Sequence, residues 1–183
     1  MDGRKWNALF EGFSDRLSAQ RRREEEEHSL SAWYDEQTKL VMLLVLEVAK
    51  ERALAFEQAT SCSRADPPAS TERHIEVTWP SRPLINVVPE GPFMSFMSLA
   101  LGEREVQLYS HRLPAAPPAI HYVVIGDRRA FSARRRLISH AGCRIERRIN
   151  GGFVLTAHVD GERRELSADD VAYRGFELLL LKD

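Results

Sequence analysis

Two cysteines, Cys62 and Cys143, far apart in 183 residues, are too few for a disulfide framework, and a reducing cytoplasm is the expected setting. They are also too few for a cysteine-rich zinc site. His140 and Cys143 form an isolated H-x-x-C with nothing to complete the roughly four ligands zinc requires, so no metal is expected. Lysine is nearly absent: Lys5, Lys39, Lys50 and Lys182 are the whole set, and arginine carries the rest of the positive charge, which hints at a GC-rich bacterial genome. A net charge of −1 gives no global field toward nucleic acid or membrane. The strongest apolar run is the seven residues Leu40–Leu46 between Lys39 and Glu47, far short of the roughly 20 that a membrane span needs. The opening MDGRKWNALFEGFSDRL carries acids and lacks the apolar core of a signal peptide. Catalytic signatures are missing too. There is no G-x-S-x-G elbow and no G-x-x-x-x-G-K loop, and Gly151-Gly152 sits between strands instead of before a helix, so no cofactor is implied. A scattered active site around His121 or His158 stays open, with His121 more simply a core residue on a strand face shared with Val123 and Ile125.

What the chain does have begins with Lys39–Phe56. Val41, Leu44, Val45 and Val48 recur at i, i+3, i+4 and i+7, the face extends back through Leu30, Trp33 and Tyr34, and no breaker interrupts it. Leu40, Leu43 and Leu46 add apolar surface on other sides, so this helix needs cover from several directions. Trp33, Val41, Leu44, Val45 and Val48 are therefore candidate interface residues, for a second copy or for another protein. Upstream, Trp6, Leu9, Phe10, Phe13 and Leu17 form another stripe, followed by Arg21–Glu27, whose arginines and glutamates stand at i, i+4 spacing. A break at His28–Ser31 predicts a helical hairpin over residues 4–27 and 30–58, with one long helix as the alternative. Residues 1–58 are thus read as a helical arm. The Ser- and Pro-bearing stretch 59–73 is read as a linker, and 74–183 as an α+β domain.

In that domain the period changes from 3.6 to 2. Strands are expected at Ile75–Trp79, Leu84–Val88, Phe93–Leu101, Arg104–Tyr109, Ile120–Ile125, Cys143–Ile149, Phe153–Val159 and Glu162–Leu166, mostly antiparallel. Asp127 to Ala141 is read as a helix with Phe131, Leu137, Ile138 and Ala141 inward and Gly142 as its stop. Ser167-Ala168-Asp169-Asp170 matches a helix start. Phe176–Leu181 is expected as a closing strand or buried tail.

The densest chemical feature is arginine. Arg128, Arg129, Arg134, Arg135, Arg136, Arg144 and Arg148 form a candidate surface for an anionic partner or phosphate, because the guanidinium fork binds both carboxylate and phosphate. The bland reading is a solvated face compensated by acids such as Glu162, Glu165, Asp169 and Asp170. The expectation is a non-enzymatic interaction or regulatory protein, its arm used for self-association or docking and its arginines for an acidic partner. The alternative is nucleic-acid or nucleotide binding through Arg128–Arg148.

Overall fold

The computed structural model describes residues 3–61, 74–78, 93–113, 116–126 and 137–181. The chain forms two compact units, Met1–Glu36 and Gln37–Asp183. One α-helix, α1 (Gly3–Ser61), supplies the first unit and opens the second. It is continuous where the sequence suggested a hairpin. His28, Ser29 and Ser31 each cost only a few tenths of a kcal/mol in a helix, and neither glycine nor proline enforces a turn there, so strong helix formers on both sides carry it through.

Among the described residues seven strands follow in simple meander order: β1 (Glu76–Thr78), β2 (Phe93–Leu101), β3 (Arg104–His111), β4 (Ala119–Ile125), β5 (Leu137–Arg147), β6 (Phe153–Val159) and β7 (Glu162–Leu166). Every neighbouring pair is antiparallel. A helix α2 (Ala168–Leu180) closes the fold, which is α+β as expected. The hairpins β2–β3, β5–β6 and β6–β7 turn at Gly102-Glu103, Asn150-Gly151-Gly152 and Asp160-Gly161, as the sequence predicts. At the last of these both residues have positive φ, the backbone that an Asp-Gly pair tolerates best.

Two expectations are corrected. Leu137–Ala141 is not the end of a helix but the start of β5, paired with β4 through Val124↔Ile138 and Tyr122↔His140. The remainder of the expected helix, residues 127–136, and the expected strand Leu84–Val88 lie outside the described residues, as does most of the linker. Gly142 is no helix stop. It sits inside β5, where the register slips by one residue opposite Ala119–His121. The second correction concerns Phe176–Leu180, which is the last part of α2 and not a strand. Its apolar run reads equally well as a buried helix face, and Val171, Ala172, Phe176, Leu178 and Leu179 are indeed buried.

Strand register sorts the sheet into two faces. Leu99, Val106, Val124 and Ile138 line up across one face, as do Met97, Leu108, Tyr122 and His140. Against this face pack α2 and the α1 residues Val41, Met42, Val45, Leu46, Ala49 and Ala53 in one apolar core. The start of α2 is fixed by a capping box: Ser167 Oγ accepts from Asp170 N at 3.1 Å while Asp170 Oδ2 accepts from Ser167 N at 2.7 Å. These bonds from the Ser167 hydroxyl and backbone hold the Asp170 carboxyl below the usual carboxylate range. The Tyr122 hydroxyl donates to Val171 O at 2.9 Å, tying α2 to the sheet. Burial raises its pKa well above that of an ordinary tyrosine.

Candidate functional site

The sequence nominated two sets of residues, and part of each meets at the β5–β6–β7 end of the sheet. From the interface set, Val41 is 1 % and Val45 0 % exposed, so both belong to the core of their own unit, and Val48 is half-buried. Trp33 is half-buried, its ring edge-on to Tyr34 at 5.0 Å. Leu44 is 43 % exposed and stands beside Leu40 (44 %) and Leu43 (54 %) on the outer side of α1. From the arginine set, Arg128, Arg129, Arg134, Arg135 and Arg136 lie outside the described residues. Arg144 is exposed on β5, and Arg148, just past β5, donates from Nη2 to Glu165 Oε2 at 2.6 Å.

Val41, Leu44, Phe153, Leu155, Leu166 and Ala168 line a groove of about 160 Å³, with Arg148 and Glu165 also in its lining. A wider, shallower depression of about 490 Å³ adjoins it, lined by Arg147, Arg148, Ile149, Asn150, Arg163 and Glu165. Arg148, Val154 and Glu165 are common to both linings. The basic groups here are partly compensated. Besides Arg148–Glu165, Arg163 pairs with Glu146, and Arg164 approaches Glu162 at 3.9 Å. Such solvent-exposed pairs hold together by only about 0–1 kcal/mol, so an incoming carboxylate can exchange with them.

The sheet face turned away from the helices carries a polar cluster beside the buried Val123 and Ile125, and the sequence reading passed over that cluster. Glu105 Oε1 accepts from Ser98 Oγ at 2.5 Å and from Gln107 Nε2 at 2.8 Å. One register step on, Tyr109 stacks on His121 at 5.3 Å, and the His111 ring stands edge-on to His121 at 6.3 Å. The signal was present: in Arg104–His111, Glu105, Gln107, Tyr109 and His111 alternate with Val106 and Leu108. Burial, and secondarily the neighbouring His111, pull the His121 pKa below its ordinary value. Among the described residues no carboxylate is bonded to His121.

The lowered pKa has a sign. Unfolded His121 binds a proton near pH 6.5 while the folded ring resists it, so folding should lose stability as pH falls below about 6.5. One proton contributes at most about 1.4 kcal/mol per pH unit, and less here because the ring is only half-buried. Denaturant titrations between pH 7.5 and 5 should show a shallower loss for His121→Gln than for the wild type. Equal slopes would mean that His121 titrates alike in both states.

Burial in the core pushes the pKa of the Cys143 thiol up to about 12, which disfavours the thiolate. Among the described residues there is no cluster of three metal-ligating side chains and no helix long and apolar enough to cross a membrane. Compared with known proteins, the chain matches no family model, no curated protein and no solved structure.

Proposed function

We propose that the chain is a non-enzymatic protein-interaction or regulatory protein whose helical arm self-associates and whose arginine-bearing sheet end meets an acidic partner. One observation carries this reading. In the Met1–Glu36 unit Phe13 is 61 % and Leu17 40 % exposed, one helical turn apart on a helix whose residues 10–30 are all exposed. Large apolar side chains aligned on an exposed helix face are a recurrent mark of association surfaces. A solitary helix in water is also marginal without a packed face.

The arm's charges add to the argument. The i, i+4 pairs expected between Arg21–Arg23 and Glu25–Glu27 are not among the ion pairs of the described residues. Gln20 bonds Glu24 instead, and Arg22 bonds the Ser18 carbonyl. Arg21, Arg23 and Glu25–Glu27 are exposed and in none of these bonds, and so can meet a partner helix. Nucleic-acid binding is the weaker reading, since Arg148, Arg163 and Arg164 stand beside glutamates that repel phosphate.

Light scattering coupled to size-exclusion chromatography tests this directly. The wild type should exceed 20.9 kDa, the mass of one chain, and Phe13→Asp/Leu17→Asp should return it to that mass with its circular dichroism thermal melt intact. A wild type that stays monomeric at about 100 μM would sink self-association. Absorbance at 260 nm that travels with the protein and is lost at high salt would promote the nucleic-acid alternative.

A further inference from the structure

Within the Gln37–Asp183 unit, the outer side of α1 carries a second apolar stripe, separate from Phe13 and Leu17. Leu40, Leu43, Leu44 and Leu54 are 44, 54, 43 and 59 % exposed, whereas Val41, Met42, Val45, Leu46, Ala49 and Ala53 are sealed in the core. Glu47, Lys50 and Glu51, also exposed, lie among the four leucines. At 3.6 residues per turn all seven fall within an arc of about 120°, on a strip about 20 Å long. The spacing is that of a seam between helices. Leu40, Glu47 and Leu54 recur every seven residues, and Leu43 and Lys50 follow the first two by three. Among the described residues neither Glu47 nor Lys50 has an ion pair or a side-chain hydrogen bond. The stripe is therefore apolar toward its ends, with unpaired charges of both signs at its middle.

We infer that this stripe pairs with the same stripe of a second copy, the two helices running antiparallel. A two-fold axis between Val48 and Ala49 sets Leu43 against Leu54 of the other copy and Glu47 against its Lys50, each of them twice. At each end Lys39 comes alongside the other copy's Glu57, a carboxylate that His74 of its own chain also contacts. Glu51 stays at the solvent rim, opposite no cation. Parallel helices in register would instead set Glu47 on Glu47 and Lys50 on Lys50, a like-charge contact at both polar layers. Self-complementarity is what selects a second copy: the chain already holds the leucines and the opposite charges in the order its own stripe requires. Two heptads are fewer than the roughly three to four that mark a free-standing coiled coil, so this contact is weaker than a full seam and forms above the concentrations of a sizing column. A two-fold contact uses one patch on each chain, so a second one links arm-joined pairs into larger assemblies. That consequence rests on the arm's self-association; the stripe contact itself does not.

Sedimentation equilibrium on the full chain carrying Phe13→Asp/Leu17→Asp reads the stripe without the arm. Between about 50 μM and about 1 mM the average mass should rise from that of one chain toward that of two. In this background Glu47→Lys and Lys50→Glu should each weaken pairing by about tenfold or more, because each sets like charges face to face. Both together in one chain should restore pairing to within about threefold, since the ion pairs re-form with their ends exchanged. Orientation is read by cross-linking in the same background with Cys62→Ser, the remaining Cys143 being buried. Oxidising a mixture of Leu43→Cys and Leu54→Cys chains should join mainly one variant to the other. All four positions are exposed, and thermal melts will confirm that the variants fold. A background protein still monomeric at about 1 mM, a double reversal no tighter than either single one, or Leu43→Cys joining to itself as readily as to Leu54→Cys would each overturn the proposal. Pairing of the background protein at about 1 mM beside a wild type that is monomeric at about 100 μM would uphold the stripe and sink the arm's self-association alone.

Discussion

Gly142→Ala should be among the most damaging single-methyl additions to this protein, lowering stability by about 3 kcal/mol or more and the Tm by about 10 °C. A Cβ built at Gly142 would lie 2.5 Å from the Ile120 carbonyl oxygen, 3.2 Å from its carbonyl carbon and 2.7 Å from Cε2 of Tyr122. The Ile120 contacts are backbone in the adjacent strand, which cannot swing aside as a surface side chain would. The cause is the register slip between β4 and β5. Ala119 faces Arg144 and His121 faces Ala141, so two residues of β5, Gly142 and Cys143, stand opposite the single residue Ile120. The bulge is anchored on its far side by Ile145 N donating to Pro118 O at 2.8 Å. The Tyr122 ring lies over the space a side chain would fill, and its hydroxyl is committed to Val171. Relief of the clash would therefore strain the tie between α2 and the sheet. Differential scanning calorimetry of Gly142→Ala beside Gly126→Ala, where a Cβ meets nothing within 4 Å, isolates the steric effect. A Gly142→Ala loss no greater than that of the control would show that the strands separate freely at the bulge.

The same glycine marks where the sequence was legible and where it was not. Alternation identified the strands whose two faces differ in polarity, and the glycine-bearing turns identified the hairpins between them, because both signals are local. Leu137–Cys143 is different. Leu137, Ile138 and Ala141 satisfy a helical spacing, and a glycine after them resembles a stop. The competing assignment depends on partners in β4 some 12 to 20 residues earlier, such as Val124 for Ile138. The reading of Gly142 as a helix stop followed from that error. Its actual role, room for the neighbouring backbone, cannot be seen without the neighbour. Ser167–Asp170 was read correctly for the converse reason, since the capping box closes within four residues.

The candidate surfaces divide in the same way. Residue type found the arginines and leucines, but type does not say which ones are covered. An apolar-all-round helix carries almost no directional signal, so Val45 and Leu44 looked equivalent although one is sealed in the core and the other lines the rim of a groove. The groove is built from α1, β6, β7 and the start of α2, elements spread over more than 100 residues, and no spacing rule links Leu44 to Arg148. The polar cluster around Glu105 and His121 was visible as alternation along one strand. Its significance depended on Ser98 and His121 arriving from β2 and β4.

Val45 and Leu43 turn that distinction into the second large effect. Val45→Asp should unfold the Gln37–Asp183 unit outright or cost it upward of about 4 kcal/mol, because it places a carboxylate among Val41, Leu46 and the sheet residues of the apolar core. Val45 is 0 % exposed. Leu43→Asp, two residues away and 54 % exposed, should change stability by less than about 0.5 kcal/mol. The helical spacing makes the contrast sharp: Val41, Val45 and Ala49 repeat at i, i+4 on the core side, while Leu40, Leu43 and Leu44 fall on the side facing solvent. The pair therefore also guards against a misreading of assembly experiments. A Val45→Asp protein that fails to associate would do so because it no longer folds, whereas changes at exposed positions can remove a contact and leave the fold. Urea unfolding followed by tryptophan fluorescence and far-ultraviolet circular dichroism should give a midpoint for Leu43→Asp within error of the wild type and no cooperative transition for Val45→Asp. A cooperative Val45→Asp transition with an unchanged midpoint would mean that α1 leaves the sheet at little cost, and the apolar core would then be held by α2 alone.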